Sequence, residues 1–445
     1  MSPGSNRRSF LKGAAATALV GSFQVRAHAA QEPLRCACIG AGGRAGAHVE
    51  AAAKESLVAL CDIDGQRLAA AAKSVAQQHP HVKTFADYRR MFDVAHKEFD
   101  VVFVGTADHH HAPASMLAIK HGKHVYTEKP LTHSIDEAHR LTAAARQAGV
   151  ATQMGNQGMA SEEHRRLVEY IQAGAIGPVR EVHIWTDRPI NWWPQGFSRT
   201  AYTDPLPSYL SWDLWLGPAP VRPYVERWRE GPAQGKPVYH PHNWRGWWDF
   251  GTGALGDIAC HAMAPTFWAL KLGQPTAVEA QHSPCNDEMF PDWSIITYEF
   301  PARGDLPPLK LVWYDGGKKP PRPAELEAGR ELGANGALYI GDRGKMLDHR
   351  IIPEDKAKQI KPPPPSIPRV PGHHEDFLIA CRGGRPACSN FDFAGNLTAA
   401  ALVGNVAIRA NQRIEWDADT LRPKNCSDAR VLRVIRREYR SGWTL

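Results

Sequence analysis

The chain has 445 residues, 43% of them hydrophobic and 22% charged, with 38 Gly, 35 Pro and 8 Cys. At roughly 150 residues per domain this is a two- or three-domain globular composition, which excludes the disordered, collagen-like and disulfide-scaffold classes. The formal charge of +7 includes Arg7, Arg8, Lys12 and Arg26 in the first 29 residues, which hold no acid; without them it falls to +3, too little for a phosphate-tracking field, so nucleic acid is not an expected partner.

Asn6-Arg7-Arg8-Ser9-Phe10-Leu11-Lys12 precedes a mild apolar stretch, Gly13 to Phe23, and then Ala27-His28-Ala29. Charge, apolar run and small-residue site in that order predict a twin-arginine (Tat) export signal over 1–29, cleaved near Ala29/Ala30. The expected location is periplasmic or otherwise exported, with the Tat machinery as a partner. Elsewhere no run approaches the roughly 20 apolar residues of a membrane span.

Leu34 to Ile39 is a short apolar run ending at Gly40-Ala41-Gly42-Gly43-Arg44-Ala45-Gly46, and His48 to Lys54 follows as helix. This is the order of a dinucleotide-binding fingerprint. Gly40 permits the tight turn, Gly42 lets backbone approach a pyrophosphate, and Ala45 or Gly46 lets helix and strand pack closely. The next strand, Leu57 to Cys61, ends in Asp62, where a carboxylate accepts ribose hydroxyls and repels a 2′-phosphate. NAD is therefore expected over NADP, although Arg44 and Arg67 are placed where either could meet a 2′-phosphate.

A third buried strand, Val101 to Thr106, leads into Ala107-Asp108-His109-His110-His111; helix Pro113 to His121 and strand His124 to Tyr126 then deliver Thr127-Glu128-Lys129-Pro130. Strands alternating with helices predict a parallel, doubly wound sheet with ligands at the strand C-termini. Three successive histidines on a loop rarely converge on one ion, and no metal site is expected. Cys36, Cys38, Cys61 and Cys260 fall in apolar or helical runs and read as small hydrophobes; only Cys381 and Cys388 are spaced for a bridge.

From about Gly158 the composition shifts towards aromatic residues and proline, and nine of the 14 tryptophans lie between Trp185 and Trp248. Some must be core. Asn191-Trp192-Trp193-Pro194 and Asn243-Trp244-Arg245-Gly246-Trp247-Trp248, however, sit in turn-rich polar sequence, where indole faces beside Arg suit a sugar. Trp185, Arg188, Trp244 and Arg245 are the candidate substrate contacts. After Gly251-Thr252-Gly253 a helix carries Asp257 and His261 at i, i+4, on one face, and Pro265 predicts a break beyond them. Strand-like runs at Val278–Gln281, Trp293–Phe300, Leu309–Tyr314 and Ala337–Ile340 predict a largely antiparallel sheet. Residues 316–336 and 353–371 read as loops, and His373–Arg382 and Phe393–Ala410 as amphipathic closing helices.

These motifs resemble the Gfo/Idh/MocA oxidoreductases, a family that includes glucose–fructose oxidoreductase and inositol dehydrogenase. The resemblance rests on the glycine turn, Thr106 to His111, Glu128-Lys129-Pro130, Met154-Gly155-Asn156-Gln157-Gly158 and Gly253-Ala254-Leu255-Gly256-Asp257-x-x-x-His261, and covers nearly all of the chain beyond the export signal. It implies an α/β fold: a Rossmann NAD(P)-binding domain over 31–157, and over 158–445 an α+β domain for substrate binding and oligomerisation, with a large, mostly antiparallel open sheet. It implies cofactor contacts from Gly40, Gly42, Gly43, Arg44, Asp62, Thr106, His109, His111, Glu128, Lys129, Asn156 and Gln157, a catalytic trio of Lys129, Asp257 and His261, and a homo-oligomer, dimer or tetramer.

Oxidising a secondary alcohol needs a base for the hydroxyl proton and an acceptor for the hydride. His261 has the free pKa nearest neutrality, Asp257 would orient it, and Lys129 could polarise the reacting oxygen; whether Lys129 or His261 is the base stays open. Outside the cytoplasm a dissociable cofactor would be lost, so tightly bound NAD is expected. Three functions fit: hydride transfer between a sugar or glycoside and the cofactor; redox-neutral glycoside hydrolysis by oxidation, elimination, hydration and reduction; or non-catalytic sugar binding with structural NAD.

Overall fold

The computed structural model describes residues 32–445; the export-signal reading lies outside the described residues. The first half runs β1 (Arg35–Ile39), α1 (Gly46–Ala53), β2 (Ser56–Cys61), α2 (Gly65–Val75), β3 (Lys83–Phe85), α3 (Tyr88–Ala95), β4 (Val101–Val104), α4 (Asp108–Lys120), β5 (His124–Glu128), α5 (Ile135–Ala148) and β6 (Thr152–Gly155). The strands form one parallel sheet in the order β3-β2-β1-β4-β5-β6. Cys36 to Ile39 and all of β4 are buried, as the continuous apolar runs of a sheet covered on both faces require. The order reverses between β1 and β4, and a ligand crevice opens at that switch point.

Helix α4 begins at Asp108, five residues before the start read at Pro113. Proline marks a first turn because it cannot donate to the carbonyl four residues back. Here that carbonyl, on His109, accepts from Arg437 Nη2 at 2.5 Å instead. The three histidines thus lie on a helical turn, not on a loop.

The second half runs α6 (Glu162–Gln172), β7 (Val179–Trp185), α7 (Trp212–Leu216), α8 (Gly253–Ala262), α9 (Ala264–Leu270), β8 (Ala277–His282), β9 (Ser294–Phe300), β10 (Leu309–Tyr314), β11 (Gly336–Gly341), β12 (Gly344–Leu347), β13 (Arg350–Ile352), α10 (Glu354–Gln359), α11 (His373–Cys381), α12 (Phe391–Ala410), β14 (Ile414–Asp417), β15 (Arg422–Pro423) and α13 (Ala429–Ile435). Nine strands form a sheet in the order β13-β12-β11-β7-β10-β9-β8-β14-β15, antiparallel apart from the β7–β10 pair. Pro265 sits in the first turn of α9, so the expected break falls at Met263.

One hydrophobic core joins both halves. Its axis is α12, which packs on α5 from the first half and on α8 and β8 from the second. Read as amphipathic, α12 is buried nearly all round, and by length and composition alone it could cross a membrane. That uniform apolarity is what a helix enclosed on every side needs. The outer face of the large sheet is partly sealed by the chain's own loop, whose Leu326 and Leu332 pack on Trp185, Val312, Tyr314 and Leu338. All eight cysteines are free thiols, Cys381 and Cys388 included.

Candidate active site

A cleft of about 620 Å³ opens at the C-terminal ends of the parallel strands. The glycine turn forms one wall. Gly40 holds φ +93°, and a Cβ there would lie 2.6 Å from Gly105 O; a Cβ on Gly105 would lie 2.7 Å from Ala45 Cβ, whereas Gly46 faces open space. Ala45 is therefore the small residue that lets helix and strand approach. Asp62, at the end of β2, is pinned by Ala41 N–H to Oδ2 (2.8 Å) and Asp64 N–H to Oδ1 (3.0 Å), and burial raises its pKa. Arg67 is occupied by Asp64 (3.4 Å) and Arg44 by Glu128 (3.1 Å).

At the far end of the cleft Glu128 Oε1 meets Arg44 Nε, His48 Nε2 (3.2 Å) and Gln157 Nε2 (3.0 Å). Burial opposes its charge, but His48, Arg44 and Lys129 hold the carboxyl well below the usual range. Lys129 turns the other way, donating to Asp257 Oδ1 (2.6 Å) and to the Asp257 carbonyl (3.1 Å). Arg245 Nε reaches the same Oδ1 at 2.9 Å. Again burial opposes ionisation, and the two cations overcome it, so Asp257 is a fixed anion. Its carboxylate makes no hydrogen bond to His261 among the described residues, so the expected orienting contact within the i, i+4 pair is replaced by Lys129–Asp257–Arg245. His261 faces the cleft independently; burial, with Lys129 beside it, lowers its pKa to about 4.

Of the cofactor and catalytic candidates, Gly40, Gly42, Gly43, Arg44, Asp62, Thr106, Glu128, Lys129, Gln157 and His261 line the cleft. Others stand behind it. His111 bridges Pro130 O (2.6 Å) and Thr106 O (3.1 Å), His109 lies 2.8 Å from Trp215 O, and Asn156 Nδ2 donates to Cys260 O (3.0 Å). They brace the walls rather than face a ligand.

Of the substrate candidates, Trp244 and Arg245 line the cleft, with the guanidinium 4.3 Å over the Trp244 ring. Trp185 and Arg188 do not. Trp185 is sealed under the 316–335 loop with its indole N–H on Gly333 O (3.0 Å), and Arg188 stacks on exposed Trp192 at 3.8 Å. Seven of the nine clustered tryptophans are buried, and Trp212 and Trp215 stack on each other at 4.5 Å, so packing explains most of the cluster.

Sequence reasoning missed the roof. Leu214, Trp215, His240, Pro241, His242 and, from the C-terminal segment, Trp443 complete the cleft. The roof is tied across the end of β2: Gly65 N–H donates to Tyr209 O (2.8 Å), Ser211 N–H to Ile63 O (3.0 Å), and His240 Nε2 lies 3.2 Å from Asp64 Oδ2. The run Tyr239-His240-Pro241-His242, polar within an aromatic stretch, was the one local signal of it.

The features at hand suit a dinucleotide. The turn admits backbone and no side chains, Asp62 is positioned for ribose hydroxyls, and the buried Thr106 Oγ1 beside the cleft has no partner among the described residues. A doubly wound sheet with this cleft, and a second half whose helix α8 and 243–246 turn bring Asp257 and Arg245 onto Lys129, define a two-part nucleotide-dependent oxidoreductase architecture. Family comparison agrees. The Gfo/Idh/MocA model described as "Oxidoreductase family, NAD-binding Rossmann fold" matches residues 34–156, and its companion, "Oxidoreductase family, C-terminal alpha/beta domain", matches 161–445. The chain belongs to the Gfo/Idh/MocA oxidoreductase family.

Among curated relatives, the 1,5-anhydro-D-fructose reductase of Ensifer adhaerens is 34% identical over 84 residues, 19% of this chain and 25% of the reductase. The inositol 2-dehydrogenase of Rubrobacter xylanophilus is 29% identical over 152 residues, 33% of this chain and 42% of the dehydrogenase. The chain thus spans about a quarter of the first and 42% of the second of these relatives. Among solved structures, the WlbA dehydrogenase from Bordetella pertussis, in complex with NADH and UDP-GlcNAcA, superposes with TM-score 0.59 at 17% identity, covering 87% of this chain and 100% of that one. At that identity the likeness is one of fold.

Proposed function

We propose that the protein is an NAD-dependent dehydrogenase that oxidises a secondary alcohol of a sugar or glycoside, with the cofactor held tightly. The observation that carries this reading is the joint placement of Lys129, Arg245 and His261 in one cleft with the glycine turn and Asp62. The names of the curated relatives, a sugar-derivative reductase and a polyol dehydrogenase, support the substrate class.

When bound, NAD supplies the two-electron sink that takes the hydride. The chain's own residues do the rest. Asp257 keeps Lys129 and Arg245 at fixed positions, so their N–H groups are pre-oriented towards a substrate oxygen. His261, neutral at neutral pH, has a ring nitrogen able to take the hydroxyl proton, and its low pKa favours passing that proton on. Trp244 offers a flat face to a sugar's C–H groups. The roof tied across the end of β2 supports retention of the cofactor; export with the cofactor in place, periplasmic location and homo-oligomerisation belong to the same proposal.

The test is to purify the protein without added cofactor, denature it, and identify released nucleotide, then to screen sugars and glycosides for nicotinamide reduction with product analysis. Stoichiometric NAD and a keto-sugar product support the reading. Hydrolysed glycoside without net reduction points to the redox-neutral route, and an empty protein that binds no NADH overturns both.

A further inference from the structure

Strand order separates the two ends of the cleft. The ends of β2 and β3, with Asp62 and Ala86 to Tyr88, lie on one side, and the end of β5, with Glu128 and Lys129, on the other. By the proposed function, on which this inference rests, the first side takes the adenosine and the second the reacting ring. The adenosine side is aromatic: Tyr88, His110 and Trp215 line it, and Trp443 joins them from the C-terminal segment.

The segment that brings Trp443 there is fastened along its length. Arg437 Nε donates to Glu137 Oε1 (2.6 Å), and Tyr439 OH to the same oxygen (2.5 Å). Arg440 donates from N to Pro218 O (3.0 Å) and from Nε to Gly217 O (2.9 Å). Arg89 Nη1 reaches Gly442 O (3.2 Å), and its guanidinium covers the Trp443 ring at 4.0 Å. Arg89 is in turn forked onto Asp87, which lines the cleft. The indole meets Tyr88 at 5.9 Å and His110 at 5.3 Å, both edge-on. The segment therefore joins the second half to helices α3, α4 and α5 of the first and forms one side of the adenosine end. A flat, uncharged purine suits such a lining.

We propose that the segment Arg437–Leu445 is the latch on the adenosine end of the cofactor cleft, and that Trp443 controls how fast the dinucleotide leaves. Retention is then a property of the closing segment, separate from the chemistry at Lys129.

The test measures NADH release by its fluorescence, chasing pre-bound NADH with excess NAD, in the wild type, Trp443→Ala and Trp443→Phe; it requires no turnover. Release at least tenfold faster in Trp443→Ala, with Trp443→Phe within about twofold of wild type, is the expected result. Equal rates in Trp443→Ala and wild type overturn the latch while leaving the proposed function intact; a wild type that binds no NADH overturns both. Should Trp443→Ala fail to fold, limited proteolysis of the wild type decides. Bound NADH is expected to protect residues 436–445 from cleavage, and equal cleavage with and without NADH overturns the proposal.

Discussion

Replacing Asp257 by Asn probes the centre of the site with little change of shape. The carboxylate side chain is 6% exposed and shares Oδ1 between Lys129 at 2.6 Å and Arg245 at 2.9 Å, whose side chains are 12% and 17% exposed. Removing one partner of a buried ion pair costs about 3–5 kcal/mol, because the remaining charge is left uncompensated. Two features reduce this. Lys129 keeps the Asp257 carbonyl and Arg245 keeps His242 O, both at 3.1 Å, and both cations face the cleft. The expected loss for the apo protein at neutral pH is therefore about 2–3 kcal/mol. Because folding lowers the Asp257 pKa, its contribution is present above the unfolded value, about pH 4, and is lost as pH falls through the folded value. The wild-type advantage over Asp257→Asn should thus hold at pH 7 and shrink below about pH 4. Adding Arg245→Gln removes one of the stranded cations, so the double variant should be more stable than the sum of the singles by about 1 kcal/mol or more. Equilibrium urea unfolding followed by tryptophan fluorescence measures all three. An Asp257→Asn protein within about 0.5 kcal/mol of wild type at pH 7, with additive double-variant energies, would refute the electrostatic account.

Three further outcomes follow from the same geometry. Since folding lowers the His261 pKa to about 4, a kcat/KM that requires the neutral ring should rise with pH through about 4 and stay level across the ordinary histidine range; a limb near 6.5 that disappears in His261→Gln would contradict the assignment. Gly105→Ala places a methyl 2.7 Å from Ala45 Cβ and 3.1 Å from Ala45 Cα, where backbone cannot yield; it should cost about 1–3 kcal/mol in urea unfolding and weaken NADH binding, measured by fluorescence titration. Trp185→Ala should cost about 3–5 kcal/mol of stability yet leave substrate KM unchanged, whereas Trp244→Ala should raise KM, and steady-state kinetics on the two variants separates core from cleft.

The parts of the fold legible in the sequence were those whose signal is local. The runs at β1, β2 and β4 are continuously apolar because the sheet is covered on both faces, and the glycine turn declares itself because no side chain fits between Gly40 and Gly105. The edge strand β3, Lys-Thr-Phe with two exposed residues, carries no such run and so gives no local signal. The early start of α4 was hidden because its compensation, Arg437, lies 328 residues further on. Tryptophans were the weakest guide: Trp185 and Trp244 look alike in sequence, and only the loop that descends on one and the cleft that reaches the other tell them apart.

The adjacent pair Glu128-Lys129 shows how a tripeptide with little meaning alone becomes a site. Successive residues leaving a strand project to opposite sides. Glu128, the last residue of β5, points to the first half and collects Arg44, His48 and Gln157, while Lys129 points to the second half and meets Asp257. One anion and one cation are thereby given to two walls, each wall supplying charges of the opposite sign. A shift of one residue in the register of β5 against β4 and β6 would, by its direction, put either Lys129 in the place of Glu128 beside Arg44 or Glu128 in the place of Lys129 beside Asp257, a like-charge contact in the cleft in either case. The alternation of the strand thus ties the pairing of the sheet to the charge arrangement of the site, which is why the correct register and a working cleft cannot be varied separately.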